Sequence, residues 1–185
     1  MERHLQRFVI ADSEKCVGCR ACEVACFTEH NQKSNHVGKT VGTVTVPVIP
    51  KLFLTRGEDI CMPIQCRHCE DAPCMEACTL HAIERKNDQI IVNQEKCTGC
   101  KDCLMACPFG SIEILPSLKA GAVEKQVDSD EIRKIASKCD LCFDNPKGPA
   151  CIRACRQEAL RIVELQDENE IKQEKAAQIL NTIKD

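Results

Sequence analysis

Sixteen of the 17 cysteines fall into four sets of four. They are Cys16, Cys19, Cys22 and Cys26; Cys66, Cys69, Cys74 and Cys78; Cys97, Cys100, Cys103 and Cys107; and Cys139, Cys142, Cys151 and Cys155. The first and third sets are spaced C-x2-C-x2-C-x3-C. Three thiolates at such intervals wrap one corner of a cubic 4Fe–4S cluster, and the fourth cysteine of the run reaches a neighbouring cluster. Four sets working in pairs imply four 4Fe–4S clusters, with these sixteen thiolates as iron ligands. In 185 residues, that load leaves room for little besides moving electrons.

Zinc is the rival metal. Structural zinc takes four ligands from two spaced pairs and has no need of three cysteines at intervals of three. The fourth set, with its pairs eight residues apart, would pass for a zinc site alone, but not in company with the other three. A disulfide-rich secreted protein is a poorer reading. The cysteines are clustered and odd in number, and MERHLQRFVIADSEKC has neither an apolar leader core nor a twin-arginine pair. A cytoplasmic location is expected. The most apolar stretch, Val44 to Leu54, is cut by Pro47 and Pro50 and carries Lys51, so no membrane span is expected.

Aromatic content is 3%, with five Phe and no Trp or Tyr. A core so poor in rings needs staples, and cluster insertion should be coupled to folding. The formal charge of −3 understates the acidity of the loaded chain, since each oxidised cluster with its thiolates adds about −2. Lys15, Arg20, Arg67, Lys96, Lys101, Lys138, Arg153 and Arg156 stand beside the ligands, either as partial neutralisation or as ordinary surface charge. There is no basic stripe for nucleic acid, no strand-placed G-x-G-x-x-G, no P-loop and no C-x-x-C-H haem site. No catalytic triad or carboxylate pair stands out. The chain reads as a conductor and not as an enzyme.

EKCVGCRACEVAC, from Glu14 to Cys26, recurs as EKCTGCKDCLMAC, from Glu95 to Cys107. Gly18 and Gly99 hold the same place in the first C-x2-C, where a left-handed turn would bring amide N–H groups toward sulfur. The second and fourth sets widen the middle gap to four and eight residues, and their last two cysteines are expected on one short helix face. The order is thus type one, type two, type one, type two. Sequential pairing (one with two, three with four) and nested pairing (one with four, two with three) both satisfy the spacing.

The elements that must position these ligands are short. Arg7 to Ala11 is expected as an opening strand, and Ala82 to Arg85 with Gln89 to Val92 as a hairpin around Lys86, Asn87 and Asp88. Thr43 to Leu54 reads as β-rich with an irregular or edge character. Glu113 to Ser137 reads as an insertion with a short helix beginning at Ser129 or Asp130. A last helix is expected from about Asp167 to Ile183; Ile171, Ile179, Leu180 and Ile183 give it a thin apolar stripe, for docking or as a solvated tail. Cys61 reads as a buried free thiol in preference to a redox or alternate-ligand role. His68, inside the second C-x2-C, reads as a surface or neighbouring side chain in preference to a sulfur donor or proton carrier. His4, His30, His36 and His81 carry no signal.

At FVIADSEKCVGCRACEVAC, CRHCEDAPC, CTGCKDCLMACPFGSIE and KCDLCFDNPKGPAC the chain resembles the small iron–sulfur subunits of formate hydrogenlyase and related formate dehydrogenase–hydrogenase complexes, including hydrogen-dependent carbon dioxide reductase. These sit within the broader family of four-cluster subunits that serve molybdopterin oxidoreductases. The resemblance covers about residues 7 to 163. It implies an α+β fold of two ferredoxin-like halves around four 4Fe–4S clusters, with short strands, short helices and a C-terminal helix. Residues 1–60 and 113–163 would form the first half, 61–112 the second and 164–185 a helical tail.

The resemblance also implies nested pairing. Cys16, Cys19 and Cys22 would join Cys155; Cys139, Cys142 and Cys151 would join Cys26; Cys66, Cys69 and Cys74 would join Cys107; and Cys97, Cys100 and Cys103 would join Cys78. Proline follows only Cys107 (Pro108), with Phe27, Thr79 and Arg156 after the other terminal cysteines, which affects local turns but not ligation. The implied partners are a formate dehydrogenase catalytic subunit and a hydrogenase subunit, together with a second iron–sulfur subunit or a second copy docked through the C-terminal helix. Two other functions fit the same ligands: an accessory protein that matures formate dehydrogenase, and a stand-alone polyferredoxin.

Overall fold

The structure, a computed structural model, describes residues 6–31, 49–119, 122–126 and 129–182. Its elements run β1 (Arg7–Ala11), α1 (Ala21–Asn31), β2 (Phe53–Arg56), β3 (Cys61–Ile64), α2 (Pro73–Glu76), β4 (Ile83–Lys86), β5 (Gln89–Val92), α3 (Asp102–Ala106), β6 (Glu113–Pro116), β7 (Leu118–Lys119), β8 (Ala122–Val123), β9 (Lys134–Ser137), α4 (Ala150–Ala154), β10 (Leu160–Glu164) and α5 (Leu165–Thr182). This is the expected α+β arrangement of short strands and helices with a C-terminal helix.

Every sheet among the described residues is an antiparallel pair, and β1 pairs with β10 across almost the whole chain. Alternation in β1 drives that pairing: Val9 and Ala11 face inward, opposite Ile162 and Leu160 of β10, and all four pack in one cluster, while Val163 is buried on the other face. The β4–β5 hairpin closes through Asn87 and Asp88, with φ of 49° and 61°, the two left-handed positions of a tight hairpin turn.

Three expectations need correction. Of Thr43 to Leu54, residues 43–48 lie outside the described residues, and only Phe53 and Leu54 are in a strand. That strand, β2, pairs with β3, which begins at Cys61. No helix starts at Ser129 or Asp130. The segment folds instead as paired strands, β6 with β9 and β7 with β8, extended by a bridge between Lys125 and Ile132. Lys125 pairs with Asp130 at 2.6 Å and the Gln126 N–H donates to the Glu131 carbonyl at 2.9 Å, so side chains and backbone close a turn where a helix would start. Finally, only in the first set do the last two cysteines share a helix, α1. Cys78, Cys107 and Cys155 lie just beyond α2, α3 and α4.

Two hydrophobic clusters form. One gathers Val9, Ala11, Leu52, Leu141 and Leu160 around Cys22, Cys26, Cys66, Cys139 and Cys151. The other gathers Ala72, Ile83, Ile90, Ile112 and Ala136 around Cys74 and Cys103. The described helices include none long and apolar enough to cross a membrane.

Candidate metal centres

The four cysteine sets are built on one backbone device. The residue two places after the first cysteine is left-handed every time: Gly18 at φ 67°, His68 at 47°, Gly99 at 73° and Leu141 at 56°. The turn brings that residue's own amide back toward the first sulfur. His68 N–H lies 3.4 Å from the Cys66 Sγ and Leu141 N–H 3.4 Å from the Cys139 Sγ, while the Gly18 amide donates to Cys16. Only the first and third sets are legible as glycine positions. The second and fourth hold a side chain in the same strained region, at a cost of roughly 1–2 kcal/mol each. His68 and Leu141 are both buried, and that packing holds them there.

A second device follows the terminal cysteines. Ala82 N–H donates to the Cys78 Sγ at 3.2 Å and Ala159 N–H to the Cys155 Sγ at 3.3 Å, each four residues on; Ser111 Oγ lies 3.4 Å from the Cys107 Sγ. Lys51 N–H reaches the Cys26 Sγ and Ala136 N–H the Cys97 Sγ, both at 3.3 Å. Amides aimed at sulfur suit an anionic thiolate far better than a neutral thiol. Around the second set, the Gln65 amide, His68 Nε2 and Arg85 Nη1 are buried without partners. Three of these atoms, Gln65 Nε2, His68 Nε2 and Arg85 Nη1, are donors in want of an acceptor, which sulfur of a bound cluster would supply. The residues fit a 4Fe–4S group.

Burial pushes the thiols of Cys22, Cys74, Cys103 and Cys142 up to about 11 and that of Cys151 to about 12. Cys139 is also raised, by complete burial. Thiols held this way have no reason to ionise until a metal offers charge in return. Electrostatic neighbours cross between sets. Burial is the main cause of the rise at each of these thiols, and smaller contributions come from Cys61 and Cys155 at Cys16, from Cys26 at Cys139, Cys142 and Cys151, from Cys107 at Cys69 and Cys74, and from Cys78 at Cys103.

Other residues were misjudged from sequence. His68 is fully buried, not a surface side chain, and its Nδ1 accepts from the Ile90 N–H at 3.0 Å. Burial, aided by Lys138, lowers its pKa to about 3, so the ring is neutral with its proton on Nε2. Cys61 is half-buried, not fully buried, and its thiol meets that of Cys16 across Gly18. His30, which carried no sequence signal, bonds Asp140 at 2.9 Å and the Cys26 carbonyl at 2.8 Å. Burial would lower His30, but the Asp140 carboxylate outweighs it and raises the ring to about 10. Lys51 holds the other Asp140 oxygen at 2.6 Å. His30, Asp140 and Cys142 bring three donor atoms within 4.8 Å, yet the Lys51 ammonium already occupies the carboxylate that a separate cation would need. Of the cations beside the ligands, Arg67 stacks between Phe8 and Phe109, Arg153 pairs with Glu29, and Lys138 is buried.

Residues 58–165 match the family model of the 4Fe-4S dicluster domain. The electron transport protein HydN of Escherichia coli K12 is 39% identical, over 91% of this chain and 93% of its own. Formate hydrogenlyase subunit 2 of the same strain is 36% identical, over 96% and 92%. Hydrogenase-4 component A is 35% identical, over 86% and 83%. Sulfur ligands in the family's order, amides trained on them and relatives matched along most of their length lead to one conclusion: the chain belongs to the 4Fe-4S dicluster family of iron–sulfur proteins.

Proposed function

We infer that the chain is a non-catalytic electron-transfer subunit with four 4Fe–4S clusters in nested pairs. When bound, such a cluster takes up and releases one electron at a time without bonding to substrate. The observation that carries this reading is helix packing: α1 of the first set lies against α4 of the fourth, and α2 of the second against α3 of the third. Each terminal cysteine acts on the other member of its nested pair: Cys155 on the first set, Cys26 on the fourth, Cys107 on the second and Cys78 on the third. Cys22 beside Cys151 and Cys103 beside Cys74 agree with the same pairs, and Cys66 packed in one cluster with Cys139 supports a line running first, fourth, second, third. Two halves follow, with one change in their bounds: β6 and β9 carry Ile112, Ile114 and Ala136 onto the core of the second and third sets, which supports placing 113–137 with 61–112.

The protein's own work is to hold sixteen thiolates at fixed places, to surround their sulfurs with amides and to keep water from the buried ones. Relatives named as a formate hydrogenlyase subunit and a hydrogenase component support a formate dehydrogenase catalytic subunit and a hydrogenase subunit as its partners. Formate oxidation to carbon dioxide and a proton releases two electrons there, and two protons take them up as hydrogen. A cytoplasmic complex of this kind is the proposed setting.

Anaerobically prepared protein is expected to carry about 16 iron atoms. Pairing is tested by double variants. With Cys22→Ala and Cys155→Ala together, one of four reduced-cluster resonances should be altered. With Cys22→Ala and Cys78→Ala, two should be altered. The reverse result refutes nested pairing, and zinc in place of iron refutes the function.

A further inference from the structure

Lys138 immediately precedes Cys139, and it is 3% exposed. Its ammonium donates to the Cys139 carbonyl at 2.8 Å and to the Ile90 carbonyl in β5. Ile90 is buried in the hairpin's β5, and its backbone N–H goes to His68 Nδ1. One residue of β5 therefore ties the loop of the second set, through His68, to the root of the fourth set, through Lys138. Cys66 and Cys139 pack in the same hydrophobic cluster at this junction.

A buried ammonium normally sits against a carboxylate, because an unpaired charge in a poorly polarisable interior is costly. Asp140 is the nearest acid in sequence, but His30 and Lys51 hold its oxygens. Among the described residues no acid pairs with Lys138. An ammonium has three N–H donors, and two go to neutral carbonyls. Ligand sulfurs of both sets stand at this junction, where Cys66 and Cys139 pack in one cluster. The carboxylate expected beside a buried lysine is replaced by sulfur from two sets.

We propose that Lys138 is a fixed counter-charge shared by the two clusters at the junction, those of the second and fourth sets, and that it raises the reduction potential of both. His68 positions it by fixing Ile90. The inference rests on the four-cluster reading above and deepens it, since it explains how an electron crosses from one half to the other. Reduction adds a negative charge on either side of a cation that no acid has neutralised, so both neighbours become easier to reduce. The outer clusters lie beyond this contact.

The test is an anaerobic redox titration of the full chain, followed by electron paramagnetic resonance and accompanied by iron analysis. Resonances are assigned beforehand with Cys69→Ser and Cys142→Ser. Lys138→Met and Lys138→Gln should lower the potentials of the two junction clusters, with at least a tenfold loss in the reduction equilibrium, about 59 mV for a one-electron couple. The outer two should stay in place. Lys138→Arg, which keeps the charge, should remain near the parent values. Unchanged junction potentials in Met and Gln variants that hold four clusters overturn the proposal, as does an equal shift of all four. If the uncharged variants lose the junction clusters while the Arg variant keeps them, the charge requirement stands. If Arg loses them as well, shape and not charge is what matters and the proposal fails. A parent protein with fewer than four clusters would instead overturn the reading on which it rests.

Discussion

Gly99→Ala probes how closely a cluster loop leans on its support. Gly99 has φ 73°, and a Cβ there would fall 2.4 Å from the Lys134 carbonyl oxygen and 3.1 Å from its carbon. Both atoms are backbone of β9. That strand cannot yield cheaply, because it pairs with β6 and its Ala136 N–H serves the Cys97 sulfur. The left-handed conformation costs an alanine about 1–2 kcal/mol, and forcing atoms into a filled space adds about 1–3 kcal/mol. A loss of about 2–5 kcal/mol is expected, with displacement of Cys97 or Cys100 and loss of the third set's cluster, about four irons. Gly148 is the internal control: its φ is 72°, and a Cβ would meet nothing within 4 Å. Gly148→Ala should carry the conformational cost alone and keep all its iron. The assay is anaerobic thermal melting with iron analysis of both variants. Equal melting points and equal iron would refute the reasoning, since the two sites differ only in what the new methyl group strikes.

Two further outcomes follow from the same geometry. His30 is raised from 6.5 to about 10 in the folded chain, so the stability it lends is complete below pH 6.5 and is lost as pH rises toward 10. His30→Gln should therefore melt below the parent at pH 6 and approach it above pH 10; a gap constant with pH would refute the Asp140 pairing as the cause. The helix α5 is held by Arg161–Glu168 at 2.7 Å and by the Leu165 N–H to the Gln6 carbonyl, while Ile171, Ile179 and Leu180 face outward. Truncation after Glu164 should leave iron content intact and reduce the size of the native assembly, measured by light scattering. An unchanged assembly would make α5 a solvated tail.

The parts of this molecule that read well from sequence are those whose cause is local. Sulfur spacing, Arg7–Ala11, the turn at Asn87 and Asp88 and the bounds of α5 each depend on a few adjacent residues. What failed depends on distant partners. Cys61 looked like a core thiol because ICMPIQC around it is apolar, but it opens β3 opposite Arg56 at the end of the β2–β3 pair. The region of Ser129 and Asp130 offered a helix start, but β9 is drawn to β6 and to the third set's loop through Arg133 and Ala136. The left-handed turns at His68 and Leu141 carried no glycine to announce them, and burial alone sustains them. Lys138 looked like one more cation beside a ligand. Its burial becomes visible only when the fourth set meets the β4–β5 hairpin.

The proposed nested order carries a consequence for assembly. The first hydrophobic cluster draws five of its ten buried residues from cysteine, so without metal it is half thiol and weakly cohesive. Of its five other residues, Val9 and Ala11 come from near one end of the chain and Leu160 from near the other, with Leu52 and Leu141 between. Closing that loop from a disordered chain costs entropy that grows with the logarithm of its length. On nested pairing, the second and third sets lie inside it and can close first over the shorter span from Cys66 to Cys107. Once they have, the outer loop is effectively shortened, and His68 with Ile90 already presents the carbonyl that receives Lys138. The junction is then a template as well as a bridge, because the inner half offers the outer half a place to bury a charge and the fourth set's sulfur is what makes that burial tolerable.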